Sequence, residues 1–189
     1  MAVILERMGY DVTILDKTTL PVYDLGRFDA IITGVRAYNT NEWMDEYYDE
    51  LMNYVEQGGN LIVQYNTSNN IGSVKSKIGP YDFSITRNRI TDENAKVTIM
   101  APSHKVFNFP NKITDKDFEH WIQERSIYHA GGWDSNFKPL LSMADPGEGA
   151  EEGSLITAKY GKGNFTYTGL VFLESCPPQY QVLCACWQI

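Results

Sequence analysis

A short apolar strand, an amphipathic helix and a second apolar strand follow one another with almost no connecting chain. This arrangement does most to limit what the sequence can fold into. The first strand reads Phe28-Asp29-Ala30-Ile31-Ile32-Thr33-Gly34 and runs into Val35-Arg36-Ala37-Tyr38-Asn39. The second reads Gly59-Asn60-Leu61-Ile62-Val63 and runs into Gln64-Tyr65-Asn66-Thr67. Between them Met44, Tyr47, Tyr48, Leu51, Met52 and Val55 recur at helical spacing, which predicts one apolar helix face. Thr40 or Asn41 is placed to cap this helix, Glu42 and Asp45 suit its amino end, and Gln57-Gly58-Gly59 stops it. Short apolar runs bounded by turn residues predict buried strands, and strand–helix–strand with short links predicts parallel neighbours. In open α/β sheets ligands bind beyond the carboxyl ends of such strands. The two polar clusters are therefore the expected site.

Upstream, residues 2–8 read as the last turns of a helix closed by Gly9, and residues 11–16 read as a strand. Downstream of Asn70 the pattern changes. Segments 81–86, 95–100, 121–128, 139–143, 154–160 and 164–170 alternate like strands with few helices between them. Tyr160-Gly161-Lys162-Gly163-Asn164 predicts a hairpin turn, and 145–153 a Gly- and Glu-rich surface loop. The expectation is a single α/β domain over residues 1–172 with an antiparallel extension.

Both ends read as incomplete. The chain opens inside a helix where a doubly wound domain opens with a strand; either the topology differs or the start lies within the domain. After Thr168-Gly169-Leu170-Val171-Phe172 the patterning fails, and residues 173–189 read as an aberrant tail. Back-translated and read one base earlier, the tail permits an amphipathic helix, so a frameshift near Leu173 is expected.

Composition narrows the function classes. A chain of 189 residues with 43% hydrophobic content can bury one sizeable core. A net charge of -8 argues against a nucleic-acid partner, since phosphate backbones require clustered Lys and Arg. No apolar run approaches the roughly 18 residues needed to span a membrane, and the first residues are too short and wrongly flanked for a secretion signal. The 12 Tyr and 4 Trp can floor a carbohydrate site but serve a core equally well. All 3 cysteines (Cys176, Cys184, Cys186) fall in the tail, at spacings that fit no zinc pattern. Neither a metal nor a cofactor is expected.

Several strings in order carry a resemblance. They are G-V-R-A-Y-N-T-N-E (34–42), G-G-N-L-I-V-Q-Y-N-T (58–67), F-P-N-K-I-T-x-x-D-F (109–118), W-I-Q-E-R-S-I-Y (121–128) and A-K-Y-G-K-G-N-F-x-Y-T-G (158–169). Over nearly the whole chain to Phe172 they resemble the C-terminal domain of large bacterial LmbE-like (PIG-L type) N-acetylglucosaminyl deacetylases. The shifted-frame tail resembles that domain's final helix. More distantly the pattern is similar to class I glutamine amidotransferase-like folds, including ThuA-like proteins. Pro102-Ser103-His104-Lys105-Val106 is similar to the His-Pro region of the ThuA-like group, with Lys105 in place of Pro. The resemblance implies a flavodoxin-like, three-layer α/β fold. It also implies a deacetylase domain as partner and places the deacetylase chemistry in that separate domain.

The residues restrict the chemistry further. A glutamine amidotransferase needs a Cys on the turn after a strand, with a His and an acid to activate it. Gln64-Tyr65-Asn66 stands at that position, and no Cys precedes Cys176. The 3 histidines (His104, His120, His129) are scattered without a ligand pattern, and His120 and His129 read as ordinary positions. What remains is a polar crevice formed by Arg36, Tyr38 and Asn39 on one side and Gln64, Tyr65 and Asn66 on the other. Glu124 and Arg125 are within reach, and His104 is a further candidate. Arg offers fixed donors for a carboxylate or sugar hydroxyl, and Tyr a flat face with a polar tip. Alternatively, Glu124 pairs with Arg36 or Arg125 to hold loops in place, while Arg87 and Arg89 are solvated. Three functions stand: a non-catalytic carbohydrate-binding or accessory module, a ThuA-like enzyme acting on a sugar through His104 or Glu124, and a purely structural interaction domain.

Overall fold

Parallel pairing of the two apolar strands organises the molecule. The structure, a computed structural model, describes residues 2–68 and 77–171. In chain order the helices are α1 (Ala2–Arg7), α2 (Ala37–Thr40) and α3 (Tyr48–Gln57). The strands are β1 (Ala30–Thr33), β2 (Asn60–Gln64), β3 (Ser84–Ile85), β4 (Arg89–Ile90), β5 (Val97–Ile99), β6 (Ser126–Ile127), β7 (Ala130–Gly131), β8 (Lys138–Pro139), β9 (Leu141–Met143), β10 (Leu155–Tyr160) and β11 (Gly163–Thr168). The anomalous tail and its cysteines lie outside the described residues.

A five-stranded sheet runs in the order β1-β2-β11-β10-β8. β1 pairs parallel with β2, from Ala30↔Asn60 to Thr33↔Val63, and β2 pairs parallel with β11. β10 runs antiparallel to both β11 and β8, so it alone is reversed in a mostly parallel sheet. The β10–β11 hairpin turns at Tyr160–Gly163 with Gly161 at φ 56°, as the Tyr-Gly-Lys-Gly string predicts. Three two-stranded ladders (β3–β7, β4–β6, β5–β9) form the antiparallel extension.

The core has two parts. Leu51, Met52, Tyr54 and Val55 of α3 are buried with Leu61 and Val63 of β2 and Phe165 and Tyr167 of β11. Ile90, Phe107, Phe118, Trp121, Leu140, Leu141, Met143 and Leu170 form the second cluster, under the antiparallel ladders. Fully burying a side chain of this size contributes about 1.5–3 kcal/mol, so these clusters set the positions of the loops above them.

Several expectations are corrected. Residues 11–16 form no strand: they find no ladder partner among the described residues, and Ile14 is 76% exposed. Asp16 instead closes a turn by accepting from the backbone N–H groups of Thr18 (2.8 Å) and Thr19 (2.9 Å). The predicted helix begins as a 3-10 helix over Glu42–Tyr47 and becomes α-helical only at Tyr48. Asn41 precedes it without a side-chain cap: its Oδ1 accepts from the Trp43 Nε1–H at 3.3 Å and its Nδ2 donates to the Ala37 carbonyl at 3.0 Å. Within 121–128 only Ser126–Ile127 pairs as a strand, since Gln123 (φ 69°) and Tyr128 (φ 52°) are left-handed and interrupt the extended backbone.

Candidate functional site

Parallel ladders end abruptly, and the backbone groups just beyond them need new partners. At the ends of β1 and β2 those partners are the amides that the sequence placed there. Gln64 and Asn66 are buried. Gln64 Nε2 donates to the Thr33 carbonyl at 3.3 Å. Asn66 Oδ1 accepts from the Tyr38 N–H at 3.0 Å, and its Nδ2 donates to the Gln64 carbonyl at 3.0 Å. The Asn66 N–H donates to the Tyr167 hydroxyl at 3.4 Å, which itself donates to the Tyr128 carbonyl at 2.7 Å. Asn39 makes a matching pair: Nδ2 donates to the Thr67 carbonyl at 3.1 Å and Oδ1 accepts from the Thr67 N–H at 2.7 Å. The Arg36 N–H donates to the Tyr65 carbonyl at 2.8 Å, which anchors Arg36 in a left-handed conformation (φ 59°).

The expected crevice residues are thus brought together, but mostly as a hydrogen-bonded knot. An amide carries both donor and acceptor and can stand in for a missing strand. Burial raises the Tyr38 and Tyr167 hydroxyls far above the usual phenol range, so both stay protonated. Two features face outward. The Arg36 side chain is exposed and has no hydrogen bond or ion pair among the described residues. Tyr65 stacks on Tyr128 with centroids 6.1 Å apart and planes at 28°, both rings half-buried. An exposed guanidinium near an aromatic pair offers fixed donors and a flat apolar face.

Glu124, Arg125 and His104 are not part of this knot. Glu124 pairs with Arg89, and neither Arg36 nor Arg125 takes that place. Arg89 is therefore an ion-pair partner rather than a solvated loop charge. Arg125 turns into the second core. Its Nε donates to the Ala95 carbonyl at 3.1 Å, Nη1 donates to the Phe118 carbonyl, and the guanidinium lies 5.6 Å from the Trp121 ring centroid. Burial lowers the Arg125 pKa, with Asp92 and Glu93 acting in the opposite direction. His104 caps its own turn, with Nδ1 accepting from the Val106 N–H at 3.3 Å. Burial first, and Lys138 second, lower its pKa.

A cluster the sequence did not disclose lies directly beneath Tyr128. Ser126 Oγ is 2.7 Å from His129 Nε2, and His129 Nδ1 is 3.5 Å from Glu151 Oε2. Both Ser126 and His129 are fully buried, which makes His129 a core position. Ser126 and His129 are only three residues apart, but nothing local indicates that Glu151, 22 residues further on, belongs with them.

A groove of about 740 Å³ opens at the opposite, amino ends of β1 and β2, between Tyr23, Phe28, Tyr47 and Tyr54. No group of His, Cys, Asp and Glu among the described residues can hold a metal ion, and no helix among them is long and apolar enough to cross a membrane.

No protein-family model matches the chain, and no curated protein matches it either. Solved structures do. A cytoplasmic protein from Salmonella typhimurium is similar at 15% identity and a TM-score of 0.60, covering 97% of this chain and 82% of that one. A second cytoplasmic protein, from Salmonella typhimurium LT2, is similar at 14% identity and a TM-score of 0.52, covering 86% and 70%. A β-galactosidase from Rahnella is similar at 14% identity and a TM-score of 0.51, over 87% of this chain but 23% of that one. At these identities the likeness shows a shared α/β fold.

Proposed function

We propose that this chain is a non-catalytic, carbohydrate-binding accessory module of a PIG-L type sugar deacetylase, built on a flavodoxin-like, three-layer class I glutamine amidotransferase-like fold that lacks the nucleophile. The observation that carries the reading is the end of β2. Where this fold would set a nucleophile, Gln64 and Asn66 are buried and bonded to backbone groups of neighbouring loops. An amide bound on both sides neither attacks a carbonyl nor accepts a proton. The exposed Arg36 side chain and the Tyr65–Tyr128 face remain to meet a ligand. Sugars suit such a surface, since their apolar ring faces stack on aromatic rings while their hydroxyls accept from guanidinium. The likeness to about a quarter of a β-galactosidase chain accords with a module attached to a sugar-active enzyme.

The enzyme reading gains no geometric support: His104 holds its own turn and Glu124 is paired with Arg89. The test is a thermal-shift screen of the intact chain against a panel of neutral, amino and acidic sugars, repeated on Arg36→Ala. At least one sugar should raise Tm in the parent and not in Arg36→Ala. A shift that survives Arg36→Ala places the sugar elsewhere, and turnover of any panel member contradicts a non-catalytic role.

A further inference from the structure

We infer that Ser126, His129 and Glu151 form a sealed, proton-operated latch that fastens the strained 123–129 segment to the carboxyl end of the central sheet and loosens when His129 is protonated.

The geometry fixes the direction of the contacts. The Glu151 carboxylate is held in place by Asn88 Nδ2, 3.0 Å from each of its oxygens. It faces His129 Nδ1 at 3.5 Å, a distance at which opposite charges attract but no hydrogen bond forms. A carboxylate favours the tautomer with hydrogen on Nδ1, since a bare lone pair there would be repelled. Nε2 is then the acceptor and Ser126 Oγ the donor, at 2.7 Å. The order is that of a nucleophile, base and acid. Yet the serine hydroxyl has no exposed surface, so an acyl donor has no approach to it.

The surroundings show what the contact holds. Ser126 and His129 flank Tyr128, a non-glycine residue at φ 52°. Such a conformation is strained and persists only when its neighbours enforce it. The Ser126–His129 bond bridges that kink. Around it the Ile127 N–H donates to the Gly169 carbonyl (2.8 Å), the Val171 N–H to the Arg125 carbonyl (3.2 Å) and the Thr86 N–H to the His129 carbonyl (2.8 Å). Gly169 lets the two segments sit close, because a Cβ there would lie 2.5 Å from the Ile127 carbonyl oxygen. Among the described residues, the charged group that acts on the ring is Glu151, with Ser126 as the hydroxyl and Asn88, Thr86 and Gly169 uncharged.

Protonating Nε2 removes the acceptor that Ser126 uses and sets a cation in a fully buried site. Burial accordingly lowers the His129 pKa, against the attraction of Glu151. The unfolded chain titrates near the ordinary value of 6.5 and binds more protons below it, so stability falls as pH drops through that value.

The test uses the intact chain. Between pH 7 and 5 the amides of 126–130 should lose protection in the parent, the local opening constant rising by up to about tenfold per pH unit. His129→Gln, which keeps a polar contact but cannot titrate, should show little added change in that window. Because that variant is at a buried site, two parent measurements stand beside it. The His129 ring should titrate below 6.5 by NMR, and a fluorophosphonate probe should leave Ser126 unlabelled. Equal protection at pH 7 and 5, a ring that titrates at or above the ordinary value, or labelling of Ser126 would each overturn the latch.

Discussion

Asn66 concentrates the residue-scale argument. Its side chain satisfies the Tyr38 N–H and the Gln64 carbonyl at once, with no exposed surface. Asn66→Ala orphans both groups, and a buried unpaired group costs about 1–3 kcal/mol. We expect a loss of roughly 2–4 kcal/mol by urea denaturation with an unchanged m-value. Arg125 makes a parallel case, because two backbone carbonyls depend on its planar fork. Arg125→Lys should cost about 2–3 kcal/mol, since an ammonium does not reproduce that fork. Sugar binding should be unaffected if Arg125 belongs to the core. The sequence marked Tyr38, Gln64 and Asn66 as polar groups at strand ends, with Arg125 within reach, but not what they bind. The Tyr38 N–H lies 28 residues from Asn66 and the Tyr167 hydroxyl 101 residues away, and such pairings follow only from the folded topology. Glu124 was legible as a pairing residue but not its partner Arg89, which is 35 residues off.

At the scale of elements, the close seam between α3 and β11 depends on glycine. A Cβ on Gly163 would meet the carbonyl oxygens of Gly59 and Val55 well inside contact distance. Gly163→Ala should therefore destabilise by about 1–3 kcal/mol, an overpacking cost, read as a drop in Tm. Its effect should exceed that of Gly149→Ala, where a Cβ meets nothing within 4 Å. The β1–α3–β2 unit and the β10–β11 hairpin could be read from sequence because their signals are local: apolar period, turn residues and short links. The supposed strand at 11–16 had the right alternation, but a strand also needs a neighbour, and none of the described residues pairs with it. The left-handed kinks at Gln123 and Tyr128 carry no glycine or asparagine to announce them. The Ser126–His129 contact spans the second of them.

For the molecule as a whole, the residues that hold the sheet's carboxyl end are distinct from those it presents. The knot of Asn39, Gln64 and Asn66 and the buried Ser126–His129–Glu151 set belong to the first; Arg36 and the Tyr65–Tyr128 face belong to the second. His104 and His129 are both depressed by burial, so both contribute stability that is lost as pH falls below the ordinary histidine value. Global stability should therefore weaken between pH 7 and 5 in two parts. His129→Gln should remove one of them, checked by Tm against pH. The likeness to the Salmonella proteins shows a shared α/β fold and no ligand. The most direct measurement is the thermal shift of the intact chain across the sugar panel, with Arg36→Ala beside it. Tm should rise with at least one sugar, the rise should disappear in Arg36→Ala, and no sugar should be turned over. No shift with any sugar, or a shift indifferent to Arg36, would contradict the proposal.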